Sequence, residues 1–412
     1  MTIRLWKGYH SCELARLIAN SWDQNVLLIL CPPLLQDFSF LKSFPTGDTE
    51  LHGHWSEVER ATALATTRAG AQFPQSPVLG VFTSGTLSPS PRLILYSQTN
   101  VRASLDAILA LFDLTRIEHL FCYPQAFHTF GLTLGYLASH LNGWQLHTPQ
   151  GKYSSASHQQ RLSLRESNVL TLGTPTHFFD LTVAAQGREI APSYSCIMGG
   201  ASVSRSLWQR VQCELRIEAP SIGYGCTEAA PGITHLPPGQ MPILDDEIGV
   251  PLSSLQSRIV PEQGVEIEGP SLCLAIIQNG IVEFPRSLMI RDRVSVASSG
   301  VWLYQGRLDL LMNRGGAKYS LEAIEKTLLD RLGLTAVACS VRDSRLGEDL
   351  GLAFMQGAEG ALGDASKVLR EVFALKLHPE RTRFLPELPL NECSKLDRKS
   401  VWTLFQEESR IP

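Results

Sequence analysis

The chain has 412 residues, of which 44% are apolar and only 18% charged, with a formal net charge of −4. That length exceeds one small core and predicts two domains, and the apolar fraction excludes a disordered chain. The weakly acidic balance gives no electrostatic footprint for a nucleic-acid backbone. Nine cysteines are scattered without a C-x-x-C pair, which argues against a disulfide frame or a zinc site and for thiols in a reducing compartment. The N-terminus lacks an uninterrupted apolar core, and the run Val26–Leu35 is broken by Pro32 and Pro33. Neither a signal peptide nor a membrane span is expected, and the location expected is cytoplasmic.

Residues 1–77 carry the fewest signals: a strand over Val26–Cys31 and a helix around Trp55–Ala65. From Pro77 an apolar strand, VLGVF, runs into TSGTLSPSPR, and RLILYS reads as the next strand. A helix is predicted over Asn100–Leu114, with Val101, Leu105, Ile108, Leu109 and Phe112 on one face. Strands and helices then alternate: His119–Tyr123, Phe130–Leu141, Asn168–Leu172, His177–Ala185, Ser195–Met198, Val203–Cys213 and Leu215–Glu218. Such alternation predicts an α/β domain with a parallel or mixed sheet between helices, and a ligand beyond the strand C-terminal ends. Past residue 235 the helices stop, and Glu247–Tyr304 reads as a small antiparallel β region. After Arg307 the pattern becomes α+β, with strands at Ala336–Arg342 and Gly351–Met355 and a helix at Ala365–Leu377. The expected division is 1–306 and 307–412.

Five stretches could carry chemistry. Thr83, Ser84, Gly85 and Thr86 begin a hydroxyl-rich loop ending at Arg92; such a loop either binds phosphate or is merely a loop, and it is not a Walker motif. Ser221–Glu228 packs Tyr224, Gly225, Cys226, Thr227 and Glu228 behind a strand; Glu228 could offer an oxygen to Mg²⁺ or cap a helix. Cys226 has no recognisable activating base, so a structural thiol is the default. Gly199, Gly200 and Ala201 could let a planar ring approach the backbone. His128, beside Phe127 and Gly131, is either a satisfied structural histidine or a substrate-facing one. The stretch Tyr304–Glu325 holds Gly306, Arg307 and Asp309, the Gly315–Gly316 turn with Lys318, and Ser320 as an N-cap ahead of Glu322 and Glu325. Asp292 and Lys395, alone, read as exposed charges.

In this order, the stretches between Thr83 and Arg398 resemble the adenylate-forming superfamily of acyl-CoA ligases and adenylation domains. TSGTLSPSPR resembles its phosphate loop, and Tyr224–Glu228 matches its Tyr-Gly-x-Thr-Glu motif in full. Asp292 falls on the acid that grips the ribose, Gly306, Arg307 and Asp309 on the Gly-Arg-x-Asp hinge, and Ser394-Lys395 on the Gly-Lys of the catalytic lysine. The departures are Leu87-Ser88 and Arg92 in the loop, Ile290-Arg291 before the acid, and Ser394 before the lysine.

The resemblance implies an ATP- and Mg²⁺-dependent ligase that turns a small carboxylic acid into an acyl-adenylate and then a thioester with CoA. Lys395, Thr227, Glu228 and His128 would be catalytic, with Glu228 and Thr86 on the metal. Thr83, Ser84, Gly85, Thr86, Arg92, Gly199, Gly200, Ala201, Tyr224, Gly225, Asp292 and Arg307 would hold the nucleotide. Phe127, His128, Gly131 and Gly199 would line the acyl pocket, Gly315, Gly316 and Lys318 would face the thiol, and a mobile small domain would turn about Asp309. The alternatives are an acyl carrier protein's phosphopantetheine arm as acceptor, and a degenerate homologue that binds nucleotide without turnover. Arg291-Asp292-Arg293 resembles some o-succinylbenzoate-CoA ligases.

Overall fold

The computed structural model describes residues 1–407 apart from 69, 71, 84–91, 150–153, 155 and 390–396. It divides into a large unit, formed by 1–260, 265–290 and 294–304, and a small one, formed by 261–264, 291–293 and 305–412.

The large unit opens with β1 (Ile3–Lys7), α1 (Cys12–Asp23), β2 (Leu27–Cys31), β3 (Thr49–Gly53), α2 (Glu57–Ala65), β4 (Leu79–Thr83), β5 (Arg92–Tyr96) and α3 (Gln98–Leu109). The near-silent first 77 residues therefore supply three strands of one sheet. Two of them, β1 and β3, go beyond the expectation, because IRLWK and TELHG mix charged and apolar residues where β2, LLILC, is apolar throughout. β4, β2, β1 and β3 lie parallel, and β5, Ala275–Gln278 and Ile281–Glu283 extend the sheet antiparallel. α1 is amphipathic: Leu14, Ile18 and Trp22, four residues apart, are buried against this sheet, while Ser11 Oγ accepts from Leu14 N–H as the N-cap. Each such side chain contributes about 1.5–3 kcal/mol of burial.

A second sheet is built from β6 (His119–Cys122), a π-helical stretch Phe130–Leu137 running into α4 (Ala138–Asn142), and β7 (Gln145–His147). It continues with α5 (Ala156–Ser163), β8 (Val169–Gly173), α6 (Pro175–Ala185), β9 (Ser193–Gly199), α7 (Arg205–Glu214), β10 (Ile217–Gly225), β11 (Gly232–Leu236) and β12 (Glu247–Pro251). Their order across the sheet is β12, β11, β10, β9, β8, β6, β7, parallel from β10 to β7. Two expectations need correction. The helix over 130–141 is π-wound for its first eight residues, and the strand expected at Leu215–Glu218 runs on to Gly225, so SIGYG lies in the strand and not behind it. The expected antiparallel β region is also not one body: Ala275–Gln278 joins the first sheet, β12 the second, and Gln256–Val260, Gly264–Glu268 and Ser287–Ile290 make a third.

Leu132 and Leu137 of the π-helix, Leu14 and Ile18 of α1 and Val101 and Leu105 of α3 share one core between the two sheets. Phe178 and Leu181 of α6 and Leu207 and Trp208 of α7 bury the opposite face of the second sheet with Phe121, Tyr123 and Met198. The chain thus leaves β6 toward one face of the sheet and β8 and β9 toward the other, which makes the gap between the C-terminal ends of β6 and β8 a topological switch point.

In the small unit, Ala317–Ser320, Leu311–Arg314, Gly347–Met355 and Ala336–Asp343 form a sheet in that order, and Thr382–Leu385 pairs parallel to Gly347–Met355. α8 (Leu321–Leu332) and α9 (Leu362–Phe373) cover one face through Ile324, Leu328, Ala365 and Leu369. α10 (Arg398–Glu407) covers the other with Val401 and Phe405. Ser320 caps α8, its Oγ accepting from Ala323 N–H at 3.2 Å.

Candidate active site

Gly225 ends β10, and Cys226 N–H donates back to Pro231 O at 3.0 Å, closing a turn so tight that a Cβ on Gly225 would lie 1.8 Å from that oxygen. The turn carries Thr227 and Glu228 in a single 3₁₀ winding, so the helix-cap reading of Glu228 does not hold. It is wired into buried framework from two sides. Tyr96, fully buried at the end of β5, donates to Thr227 O at 2.6 Å, and Cys273 N–H donates to Glu228 O at 2.8 Å. Burial pushes the Tyr96 phenol well above its ordinary value, so it stays a donor. Thr129 Oγ1 lies 3.3 Å from the same phenol oxygen, tying the residues before the π-helix to this turn.

The Glu228 side chain is 9% exposed, and its Oε1 accepts from Arg92 Nη2 at 2.6 Å. Arg92 faces Thr83 across the β4–β5 hairpin, so the two ends of the hydroxyl-rich loop meet beside the carboxylate. Ser84, Gly85 and Thr86 lie outside the described residues, as does Lys395.

At the switch point, Tyr123 stacks on His177 with ring centroids 5.0 Å apart and 14° between planes, and its hydroxyl lies 3.2 Å from His158 Nδ1. Burial drives His177 down to about 4, with the His158 and His10 rings acting in the same direction. Phe127 and His128 follow on the same loop, rings 4.6 Å apart. His128 N–H donates to Gln125 O at 3.0 Å. Gly131 is held against the carbonyls of Pro124 and Gln125, where a Cβ would sit 2.3 and 2.4 Å from the two oxygens. Gly199, in register with Gly223, lies alongside Phe130, and Gly200 and Ala201 continue from it. Tyr224 is half-buried, its ring 6.0 Å from that of Tyr304. In the large unit, Glu228, Gly199 and Phe127 follow or end β10, β9 and β6 of the second sheet, and Arg92 of the first sheet reaches Glu228.

In the small unit, Arg307 forks onto Asp309, Nε to Oδ1 at 2.8 Å and Nη2 to Oδ2 at 2.9 Å, with Asp292 Oδ1 3.7 Å from Nη1. Arg307 N–H donates to Glu322 Oε2 at 2.9 Å and Leu308 N–H to Arg291 O at 2.8 Å. Gly315 and Gly316, with φ of +59° and +90°, turn the two-residue hairpin between Leu311–Arg314 and Ala317–Ser320. Lys318 is exposed, its Nζ 3.5 Å from Glu262.

Sequence reading missed Tyr96, His10, Tyr123 and His177. A phenol closing an otherwise apolar strand was a usable signal for Tyr96, since a buried tyrosine normally finds a hydrogen-bond partner. Tyr123 and His177 become visible only when β6 and β8 are adjacent, and His10 only when the two sheets pack together.

The Tyr-Gly-x-Thr-Glu turn ends a strand of a mostly parallel sheet that also carries a topological switch point, and comparison with known proteins gives the class: the adenylate-forming enzymes. The AMP-binding enzyme family matches residues 36–270, and the chain belongs to it. The chain is 26% identical over 365 residues to the "3-[(3aS,4S,7aS)-7a-methyl-1,5-dioxo-octahydro-1H-inden-4-yl]propanoyl:CoA ligase" of Mycobacterium tuberculosis, covering 85% of this chain and 71% of the relative. It is 24% identical to the acyl-CoA ligase sidI of Aspergillus fumigatus, over 70% of this chain and 52% of the relative. Among solved structures, the o-succinylbenzoate CoA synthetase of Bacillus subtilis with its acyl-adenylate superposes with a TM-score of 0.77 at 17% identity, over 97% of this chain and 87% of that one. The anthranilate CoA ligase AuaEII does so with a TM-score of 0.77 at 14% identity, over 100% and 88%. No helix among the described residues is long and apolar enough to cross a membrane.

Proposed function

We propose that this protein is an AMP-forming acid–thiol ligase that activates a carboxylic acid with ATP and passes the acyl group to CoA. The observation that carries the reading is the turn Tyr224–Glu228, matched in full to the family motif and fixed by Tyr96 and Cys273 beside Arg92. In the first step the carboxylate attacks the α-phosphorus of ATP, the bond to the β-phosphate oxygen breaks, and pyrophosphate leaves with the bond's electrons. In the second, a thiolate attacks the acyl carbonyl and AMP leaves.

Mg²⁺ fits the donor set, because it binds through one or two carboxylates plus phosphate oxygens and waters, and Glu228 presents one buried carboxylate. Glu228 would hold it, with Thr86 as second donor, and it would neutralise charge on the departing pyrophosphate. Arg92, released from Glu228, becomes a cation for a phosphate oxygen, with a planar fork where the family has lysine. Thr227 offers its hydroxyl to a phosphate, Tyr224 a ring face to adenine, and Gly199, Gly200 and Ala201 a backbone edge. Lys395 supplies the catalytic cation of the first step. Asp292 and Arg307 take the ribose hydroxyls, Asp309 serves as the hinge, and Gly315, Gly316 and Lys318 form the thiol face. Phe127, His128, Gly131 and Gly199 line the acyl pocket. The finer reading is an aryl acid, on the Arg291–Arg293 likeness to o-succinylbenzoate-CoA ligases. CoA is favoured over a carrier protein by the acyl-CoA ligase names of the relatives.

Acid-dependent exchange of labelled pyrophosphate into ATP tests the first step, and thioester formation with CoA or a phosphopantetheinylated carrier protein tests the second. Exchange that needs both acid and Lys395 is expected. No exchange with a broad panel of acids would leave a nucleotide-binding homologue without turnover.

A further inference from the structure

His10 belongs to the loop between β1 and α1, one residue before the Ser11 N-cap, yet its contacts are with the loop that follows β6 in the other sheet. It is 3% exposed. Its backbone N–H donates to Gln125 Oε1 at 3.1 Å, its Nε2 lies 3.2 Å from Tyr123 O and its Nδ1 lies 2.6 Å from Tyr136 Oη. A backbone carbonyl can only accept, so Nε2 carries the proton and Nδ1 accepts from the Tyr136 hydroxyl. Burial lowers the ring to about 4, which keeps it neutral and this tautomer in place. Next to it, Tyr9 packs edge-on against Phe127, ring centroids 6.3 Å apart at 62°. On the far side of the same loop stands the Gly131 backbone, pressed against the carbonyls of Pro124 and Gln125. The loop is therefore clamped from both sides, by the π-helix and by a pair of residues from the start of the chain.

We propose that Tyr9 and His10 are positioning residues for the acyl pocket, holding the Tyr123–His128 loop through the Tyr123 carbonyl and the Phe127 ring, and that they set affinity for the carboxylic acid and not for ATP. The inference rests on the reading of Phe127, His128 and Gly131 as acyl-pocket residues. Its consequence is that the segment before residue 36, which the family model does not reach, tunes which acid is accepted.

The test is pyrophosphate exchange by the full chain with o-succinylbenzoate, anthranilate and octanoate, measuring KM for the best acid and for ATP separately. A glutamine amide reaches the position of imidazole Nε2, and an asparagine amide that of Nδ1. H10Q keeps the donor to Tyr123 O, and H10N loses it. H10N is expected to raise the acid KM about tenfold, the equivalent of one hydrogen bond, with the ATP KM unchanged, and H10Q to restore the parent value. Equal rises in both KM values, or H10Q and H10N behaving alike, would reduce His10 to a stabilising core residue and overturn the proposal. Should H10N fail to fold, Tyr9→Leu decides: a raised acid KM supports the clamp, an unchanged one overturns it. Exchange by the parent with both variants unaltered overturns only the clamp, whereas no exchange by the parent overturns the ligase reading and the clamp with it.

Discussion

The turn Tyr224–Glu228 and the segment Gln305–Ser320 hold similar numbers of candidate residues, and they are held by opposite means. The first hangs on neutral, buried hydrogen bonds from Tyr96 and Cys273, with one ion pair to Arg92. The second is held by charge: Arg307, 31% exposed, forks onto Asp309, only 5% exposed, its N–H donates to Glu322, and the exposed Lys318 reaches Glu262. Buried neutral bonds are costly to leave unmade, so they suit groups that must not move. An exposed ion pair such as Lys318–Glu262 is worth about 0–1 kcal/mol, so its loss should be felt far less than that of a buried bond. The difference sets how much each region should lose when one bonding partner is removed.

The strongest way to break the comparison is Glu228→Ala. Removing the one buried carboxylate of the turn should cost about 10²–10³ in acid-dependent pyrophosphate exchange, and a smaller loss would mean that the turn is scaffold only.

Acid should separate the two regions next. His235, paired with Gly223 of β10, is driven by burial to about 3, and His10 to about 4. Folded values below the unfolded 6.5 mean that the unfolded chain binds more protons. Stability is then complete above about pH 6.5 and falls by about 1.4 kcal/mol per unit for each histidine as pH drops toward 4. In the small unit the Arg381 hydrogen bonds hold Asp343 well below the usual carboxylate range. That contribution is present above the unfolded carboxylate pKa and disappears only as pH falls through the lower folded value. Protection factors from hydrogen exchange, corrected for the intrinsic fall of the rate with pH, should therefore be lower at pH 5 than at pH 7 in β10 and β11 but not in Ala336–Asp343.

Tyr96→Phe leaves the Thr227 carbonyl without its donor and should destabilise by about 1–3 kcal/mol in urea unfolding. The smallest effect is expected for Lys318→Ala, under about 1 kcal/mol in the same measurement. A larger loss there would show that the hairpin is structural and not simply presented.

The α/β class of the large unit was legible because strand–helix alternation from residue 119 to 218 is a period change that any buried sheet imposes. Ser320 as an N-cap was equally legible, since capping is local. Of the first sheet, β2, β4 and β5 were legible as apolar runs, whereas β1 and β3 mix polar with apolar residues and gain meaning only beside β2. The site split the same way. Glu228, Thr227 and Arg92 stand in recognisable stretches, but that Arg92 meets Glu228, 136 residues away in sequence, needs β5 of the first sheet to be brought against the turn after β10 of the second.

By itself, the sequence determined the turn chemistry, the caps and the order of the motifs, because these depend on neighbours within a few residues. Which loops meet at the ends of β6 and β8 was decided only by the tertiary structure. The crossover that sends the chain to opposite faces after β6 and β8 brings Tyr123 against His177, and only the packing of the two sheets sets His10, 113 residues earlier, against the Tyr123 carbonyl.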